Sequence, residues 1–378
     1  MKKTNISALL LAALLLIQLL CAPVSAVTAE PAADAQADAQ TATDNSAEDA
    51  AAADDSVPED QLLSSREQFS VAAKAALLID LNTNRVVYEQ DADERVYPAS
   101  LTKIMTCLIA LENGNLSDVV TVSESALADL DEDSSVAGLV VGEQMTLENL
   151  LYCMMVVSGN DACNVIAEHV AGSVTDFVRM MNQRAYELGC TNTHFNNPHG
   201  LHDESHYTTA RDLAIITQAA LKSENFRQIV DTYEYKLPDD NMRQNIPKLK
   251  TTNMLIYQSM SNSLYYPRAH GIKTGYTSQA GRCVISEATG DGLDLLGIVC
   301  GAATTVLDSG DLLMENFTEC ARLFDYGFDN YSYLTLMSPL YPVDQVKINN
   351  SAGAEAVAVA PEDEIKVLLP NDYDPDQL

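Results

Sequence analysis

The sequence predicts a mixed α/β fold, in which an antiparallel sheet built from both ends of one large domain is flanked by helices and carries an inserted helical lobe. Three observations predict it: strand patterns over residues 73–90, helix patterns in the middle of the chain, and three more strand patterns between residues 270 and 301. The 378 residues suffice for such a domain with an ample core and for a small accessory domain. We expect a site in the cleft between the lobe and the sheet edge.

The first 65 residues carry targeting and linker signals. Two lysines precede an apolar run at residues 6–20, and small residues follow at 25 and 26, which predicts a signal peptide over residues 1–26 and hence export. The run is shorter than the about 20 apolar residues of a membrane span. Residues 27–65 lack basic side chains and are rich in Ala, Asp, Glu, Gln, Thr and Ser, which predicts an acidic disordered linker.

The first elements of the domain follow from apolar spacing and turn residues. Apolar runs on both sides of Asn82-Thr83-Asn84 predict a hairpin. A helix is predicted behind Pro98, because apolar residues recur at helical spacing at Leu101, Ile104, Met105, Leu108 and Leu111. A further helix is predicted from Thr146, with a break at Ser158-Gly159-Asn160 and a second helix behind the break.

Capping residues and strand patterns complete the domain, which we place at residues 66–335. Ser173 and Thr209 begin two more helices. Strands are predicted over 270–276, 282–287 and 293–301, and a last helix over 312–326. Alternating residues over 346–369 predict the start of a partial β-rich domain at 340–378.

Charge and cysteine content limit the partners. The net charge is −32, which disfavours nucleic acid and anionic lipid surfaces. One of the eight cysteines lies in the predicted signal peptide, and the other seven form no Cys-x-x-Cys pair, so no disulfide is predicted.

Ser100 and Lys103 form the most informative motif. A serine hydroxyl needs a base to become a nucleophile, and a lysine three residues later lies on the same face of a helix. Ser158 and Asn160 lie in the predicted helix break, where both side chains can leave the helix surface. Lys273-Thr274-Gly275 lies in a predicted strand, and the glycine leaves room for a ligand backbone to approach.

In this order, Ser-x-x-Lys, Ser-x-Asn and Lys-Thr-Gly resemble the signature of the penicillin-recognising serine enzymes. The flanking residues resemble low-molecular-weight D-alanyl-D-alanine carboxypeptidases over about residues 66–335, and the matching segments are 98–103, 158–162, 197–201, 209–212 and 271–275. The resemblance implies a β-lactamase/transpeptidase-like fold. It also implies a serine hydrolase that removes the terminal D-alanine from peptidoglycan stem pentapeptides, with β-lactams as covalent inhibitors and no cofactor or metal.

The resemblance implies a role for each motif residue. Ser100 would be acylated, Lys103 would take its proton when burial and Lys273 lower its pKa, and Ser158 would pass a proton to the leaving amine. Asn160 would hold Lys103 and the substrate amide, while Lys273 and Thr274 would offer a cation and a hydroxyl to the substrate carboxylate and Gly275 would let the substrate backbone approach the strand. Backbone N–H groups of Ser100 and Tyr276 would bind the oxyanion. No residue identifies itself as the base for deacylation.

Three alternatives remain. A serine β-lactamase would require Ser-Asp-Asn as its second motif and a Glu-x-x-x-Asn loop downstream, and neither is found. A non-hydrolytic sensor that is acylated by β-lactams would require a transmembrane element to transmit the signal. A zinc peptidase is suggested by a cluster of histidines, His194, His199, His202 and His206, but their segment is predicted as loop.

The sequence leaves location and specificity partly open. Export to the cell envelope or medium is expected, but the acidic end of the chain is unsuited to an amphipathic membrane helix, so membrane association stays open. The preferred stem peptide, endopeptidase or transpeptidase side activity, cysteine redox state and a role in growth or sporulation also stay open.

Overall fold

The computed structural model describes residues 69–374, except 129, 131–133, 308–309, 311 and 348–355. These residues belong to one compact unit, Leu63–Leu378. The predicted signal peptide and all of the predicted linker lie outside the described residues. Among the helices of this part of the chain, none has the length and apolar character needed to cross a bilayer.

A five-stranded antiparallel sheet forms the centre of the domain, with the strand order β2-β1-β9-β8-β7. The strands of the described residues are β1 Ala75–Asp80, β2 Arg85–Gln90, β3 Val119–Thr121, β4 Gln144–Thr146, β5 Glu234–Tyr235, β6 Leu249–Lys250, β7 Ala269–Thr277, β8 Gly281–Gly290, β9 Leu293–Ala302, β10 Thr304–Val306, β11 Leu312–Met314, β12 Tyr331–Met337, β13 Asp344–Lys347, β14 Ala356–Val359 and β15 Ile365–Pro370. The predicted sheet, made from both ends of the domain, is confirmed.

Helices cover both faces of this sheet. They are α1 Lys103–Asn113, α2 Glu124–Ala128, α3 Leu147–Val156, α4 Asn160–Ala171, α5 Val174–Glu187, α6 Ala210–Leu221, α7 Glu224–Val230 and α8 Glu315–Asn330. The helices α1–α7 form the predicted inserted lobe, and the side chains of Thr146, Ser173 and Thr209 cap three of them as expected.

Two hydrophobic cores lie on opposite faces of the sheet, and β1 belongs to both. All six residues of β1 are buried. Leu77 and Ile79 belong to the core shared with the lobe, whereas Ala76 and Leu78 belong to the core under α8, whose own contribution includes Phe324. The period of two along the strand therefore divides one apolar run between two layers.

The structure differs from the sequence-based prediction at the start of α1. Residues Ala99–Thr102 form a 3₁₀ turn, and the α-helix begins only at Lys103. Ala99 has a φ of +47°, outside the helical region, so regular helix cannot begin behind Pro98. Leu101 N instead donates to Pro98 O at 3.1 Å.

Two strand pairs follow α8: β12 with β15, and β13 with β14. The strand β12 was not anticipated, and it crosses the predicted domain boundary at residue 335. The last helix was expected from residue 312, but residues 312–314 instead pair with β10 as β11. A separate domain at 340–378 stays a prediction.

Candidate active site

The 3₁₀ turn brings Ser100 and Lys103 together. Side chains three residues apart eclipse one another in a 3₁₀ helix, more closely than in an α-helix. Lys103 Nζ lies 3.0 Å from Ser100 Oγ, within hydrogen-bond distance. The predicted pairing of a serine hydroxyl with a nearby amine is therefore present, although the local helix type differs from the prediction.

Two carbonyl oxygens orient the Lys103 amine. Nζ donates to Asn160 Oδ1 at 2.7 Å and to the backbone oxygen of His199 at 2.8 Å. A neutral amine has two N–H bonds and one lone pair. When both protons are held by these oxygens, which can only accept, the lone pair points at Ser100 Oγ. The arrangement suits a base that takes the hydroxyl proton of Ser100.

Burial favours the neutral form of this amine. Lys103 is fully buried, and the loss of hydration lowers its pKa below the ordinary value, while Asp161 and the Cys163 thiol oppose the shift. Lys273 is buried as well, and burial together with the Lys103 cation lowers the pKa of Lys273 well below its usual value. The lowered pKa of Lys103 therefore comes from burial, and the contribution that the sequence predicted for Lys273 is not found, because the repulsion between the two amines lowers the pKa of Lys273 instead.

The second motif lies between α3 and α4, as predicted. Ser158 has a φ of +63°, and Asn160 is the first residue of α4. The next residue, Asp161, was not predicted as part of the site, but its two carboxylate oxygens accept from Ala137 N at 2.9 Å and Leu139 N at 3.0 Å. This carboxylate fixes the loop that forms one wall of the cleft.

The third motif lies on the edge strand β7. Lys273 Nζ donates to Thr274 O at 2.9 Å, and Thr274 Oγ1 lies 2.6 Å from Thr252 Oγ1. A Cβ at Gly275 would lie 3.0 Å from Ser100 N, so this glycine makes room for the Ser100 turn. The approach of a ligand backbone at this glycine, expected from the sequence, stays a prediction. Tyr276 is exposed at the mouth of the site.

A cleft of about 340 Å³ joins these elements. It is lined by the predicted residues Ser100, Ser158, Asn160, Thr274, Gly275 and Tyr276, and by Ser134, Ser135, Gly200, Leu201, Thr252, Thr277, Arg282, Met314, Asn316 and Phe317. Lys103 and Lys273 lie behind this lining. The second group was missed because most of its members lie in loops or far along the chain, without a local pattern.

Gly200 is a further residue that sequence reasoning did not single out as functional. It has a φ of +92°, and a Cβ there would lie 1.8 Å from Ala99 O. Gly200 and Gly275 therefore both border the Ser100 turn. Gly200 did occur in the matched segment 197–201, which was the one signal that could have found it.

Two of the four clustered histidines, His199 and His206, are buried inside the protein. His206 Nε2 lies 2.9 Å from Thr102 Oγ1, and its Nδ1 accepts from Asn196 N at 3.1 Å. Burial lowers the pKa of His206 to about 4 and that of His199 to about 3. No group of three or more His, Cys, Asp or Glu side chains within the described ranges is arranged to hold a metal ion.

Comparisons with known proteins agree with this geometry. The family model for D-alanyl-D-alanine carboxypeptidases matches residues 62–304. The chain is 37% identical over 284 residues to the D-alanyl-D-alanine carboxypeptidase DacF of Bacillus subtilis, covering 73% of this chain and 67% of the relative. It is 35% identical to DacA of Haemophilus influenzae, covering 69% and 63%. The chain thus spans about two thirds of the length of these relatives.

Solved structures have the same fold. Penicillin-binding protein 5 from Haemophilus influenzae superposes with a TM-score of 0.63 at 29% identity, over 80% of this chain and 84% of that one. The DD-transpeptidase of Streptomyces K15 superposes with a TM-score of 0.61 at 30% identity, over 69% and 98%. The predicted fold class is confirmed.

Proposed function

Since the chain belongs to the family of D-alanyl-D-alanine carboxypeptidases and is a serine hydrolase, we propose that it removes the terminal D-alanine from peptidoglycan stem pentapeptides through an acyl-enzyme on Ser100. The observation that carries this proposal is the 3.0 Å contact between Lys103 Nζ and Ser100 Oγ, with the other two amine contacts held by carbonyl oxygens. Neither the β-lactamase nor the sensor alternative is favoured by the family assignment.

Acylation begins with the transfer of one proton. Lys103 takes the hydroxyl proton of Ser100 as Oγ attacks the carbonyl carbon of the penultimate D-alanine. The backbone N–H groups of Ser100 and Tyr276 stabilise the oxyanion. The close approach of β7 at Gly275 supports this pairing of N–H groups, because it brings the strand backbone against Ser100 N.

The tetrahedral intermediate then collapses. The C–N bond breaks, the leaving amine receives a proton by way of Ser158, and free D-alanine departs. Water next attacks the ester carbonyl, and Ser100 Oγ leaves and regains its proton. Asn160 orients both Lys103 and the substrate amide, and the Thr274 hydroxyl binds at the substrate's carboxyl end.

A β-lactam would enter the same site as an acylating inhibitor, because its strained amide presents a carbonyl to the same nucleophile. We further propose that the protein is exported and acts outside the cytoplasm, where stem peptides of the cell wall are found. The predicted signal peptide supports this location.

The proposal is tested by measuring free D-alanine released from a peptide ending in D-Ala-D-Ala by purified protein. Ser100→Ala should lower the rate about a thousandfold or more, since the nucleophile is lost. Ser278→Ala, an exposed serine on the β7–β8 turn, serves as the matched control and should leave the rate unchanged. Acylation of Ser100 by penicillin without any release of D-alanine from the peptide would overturn the proposal.

A further inference from the structure

The lining of the cleft includes an arginine. Of the residues that line the cleft in the described part of the chain, only Arg282 carries a charge. The protein has 54 acidic and 22 basic residues, yet none of the described residues that line the cleft is acidic. The charge of this described lining is thus opposite to that of the protein as a whole, which favours a negatively charged ligand group beside Arg282.

The guanidinium of Arg282 is held in place without being neutralised. Its carbon lies 4.4 Å from the centre of the Tyr276 ring, and its Nε donates to Thr304 Oγ1 at 3.0 Å. Within the described residues, no acidic side chain forms a salt bridge with Arg282. A guanidinium stacked on an aromatic ring keeps its planar fork of N–H donors, which matches the geometry of a carboxylate.

Lys273 is poorly placed for the same task. Its side chain is 1% exposed, its Nζ donates to Thr274 O, and it lies behind the cleft lining. A substrate carboxylate in the cleft therefore meets the lining residues Thr274 and Arg282 before it could reach the buried amine of Lys273. The role that the sequence suggested for Lys273, as the cation that meets the substrate carboxylate, is therefore open to another residue.

The strand register places Arg282 where that carboxylate would lie. Arg282 is paired with Tyr276 across β7 and β8, one residue beyond Gly275, which borders Ser100. Strands advance roughly 3.3 Å per residue, so a peptide that runs along β7 would pass from the nucleophile to the guanidinium within one or two residues. The scissile bond of a carboxypeptidase substrate lies one residue from its terminal carboxylate.

We propose that Arg282 binds the terminal carboxylate of the substrate together with the Thr274 hydroxyl, and that this contact restricts hydrolysis to the end of a peptide. The inference rests on the proposed function, because it names the group that recognises the substrate of the same site. Arg282 acts on binding and orientation of the leaving group, whereas Ser100 and Lys103 carry out the bond changes.

A matched pair of acyl donors tests this assignment. Both are thioesters of the same N-acylated D-alanine, one with mercaptoacetate as the leaving group and the other with its methyl amide, so that they differ only in the carboxylate. Thioesters are reactive enough for turnover of the neutral donor to be measured. The wild-type protein should favour the charged donor, and Arg282→Gln should lower kcat/KM for it about ten- to a hundredfold while leaving the neutral donor unchanged. Arg282→Lys should retain part of the preference, since it keeps the charge but not the fork.

Arg268→Gln is the control, because Arg268 also lies over an aromatic ring, that of Phe328 at 4.6 Å, but outside the cleft. It should change neither rate. Equal losses on both donors in Arg282→Gln, or no loss on either, would refute the role of Arg282 while leaving the proposed function standing. A wild-type protein that turns over neither donor and releases no D-alanine would refute both.

Discussion

Replacing Asn160 by Asp tests whether Lys103 acts as a neutral base. The substitution keeps the shape of the side chain but places a carboxylate beside the amine, at the present 2.7 Å separation of Nζ and Oδ1. An anion there stabilises the ammonium form of Lys103 and opposes the effect of burial. A protonated Lys103 cannot take the proton of Ser100, so catalysis should require a higher pH.

The size of the effect follows from the distance. Two unit charges 2.7 Å apart attract by about 6 kcal/mol at an effective dielectric constant near 20, before the cost of desolvating the new carboxylate is subtracted. Opposite charges at such range raise the pKa of an amine by about 1 to 3 units. At a pH below the pKa, the neutral fraction of Lys103 then falls about ten- to a thousandfold.

The assay is the pH dependence of kcat/KM for release of D-alanine. Asn160→Asp should move the acid limb of the profile upward by about 1 to 3 pH units, and the rate should recover above the new limb. Asn160→Ala is the matched control, since it removes the same acceptor without adding charge and should not move the limb upward. If the limb of Asn160→Asp stays in place or moves downward, Lys103 is not the titrating base.

Three further predictions concern the frame of the site. Gly275→Ala should lower kcat/KM more than tenfold, because the added Cβ would push the Ser100 turn out of position. The control is Gly172→Ala, whose added Cβ meets no atom within 4 Å and which should lower stability but not activity. Equal losses of activity in the two variants would contradict the prediction. Arg243→Met removes the cation that pairs with the buried carboxylate of Glu143, so the free energy of unfolding should fall by about 3 to 5 kcal/mol. KM should rise as the cleft loop loosens, and an unchanged Tm would contradict the prediction. The pKa of His206 is about 4 in the folded protein and near 6.5 when unfolded, so the unfolded state binds the proton first and stability should fall as pH drops from about 6.5 to 4, by up to about 1.4 kcal/mol per pH unit. When the free energy of unfolding is measured by denaturant titration at several pH values in this range, its dependence on pH should be shallower for His206→Gln than for the wild type. An identical pH dependence in the two proteins would refute the assignment.

The features that sequence predicted best are those with a local cause. The pairing of Ser100 with Lys103 follows from a spacing of three residues, which puts both side chains on one face of any short helix. Caps at Thr146, Ser173 and Thr209 likewise depend on residues within one turn, and all three are present.

The features that sequence missed have long-range causes. The carbonyl of His199 contacts Lys103 across 96 positions of the chain, and every residue carries a carbonyl, so no residue type marks it. The close approach of the Ser100 turn to Gly275 was also missed, because that turn comes from the other end of the domain. A 3₁₀ turn lies where an α-helix was predicted because Ala99 has a φ of +47°, and this residue packs against Gly200 and Gly275, which are both distant in sequence.

The position of β1 between two cores also bears on how the chain acquires its structure. The strand is among the first elements of the domain to be made, yet its partner β9 pairs Cys300 with Ala75, more than two hundred residues earlier. Contacts this distant in sequence form slowly, since a long loop must close first. Neither core can be completed before residue 302 has emerged, so the growing chain remains incompletely folded for most of its synthesis. Translocation of an unfolded polypeptide requires such a state.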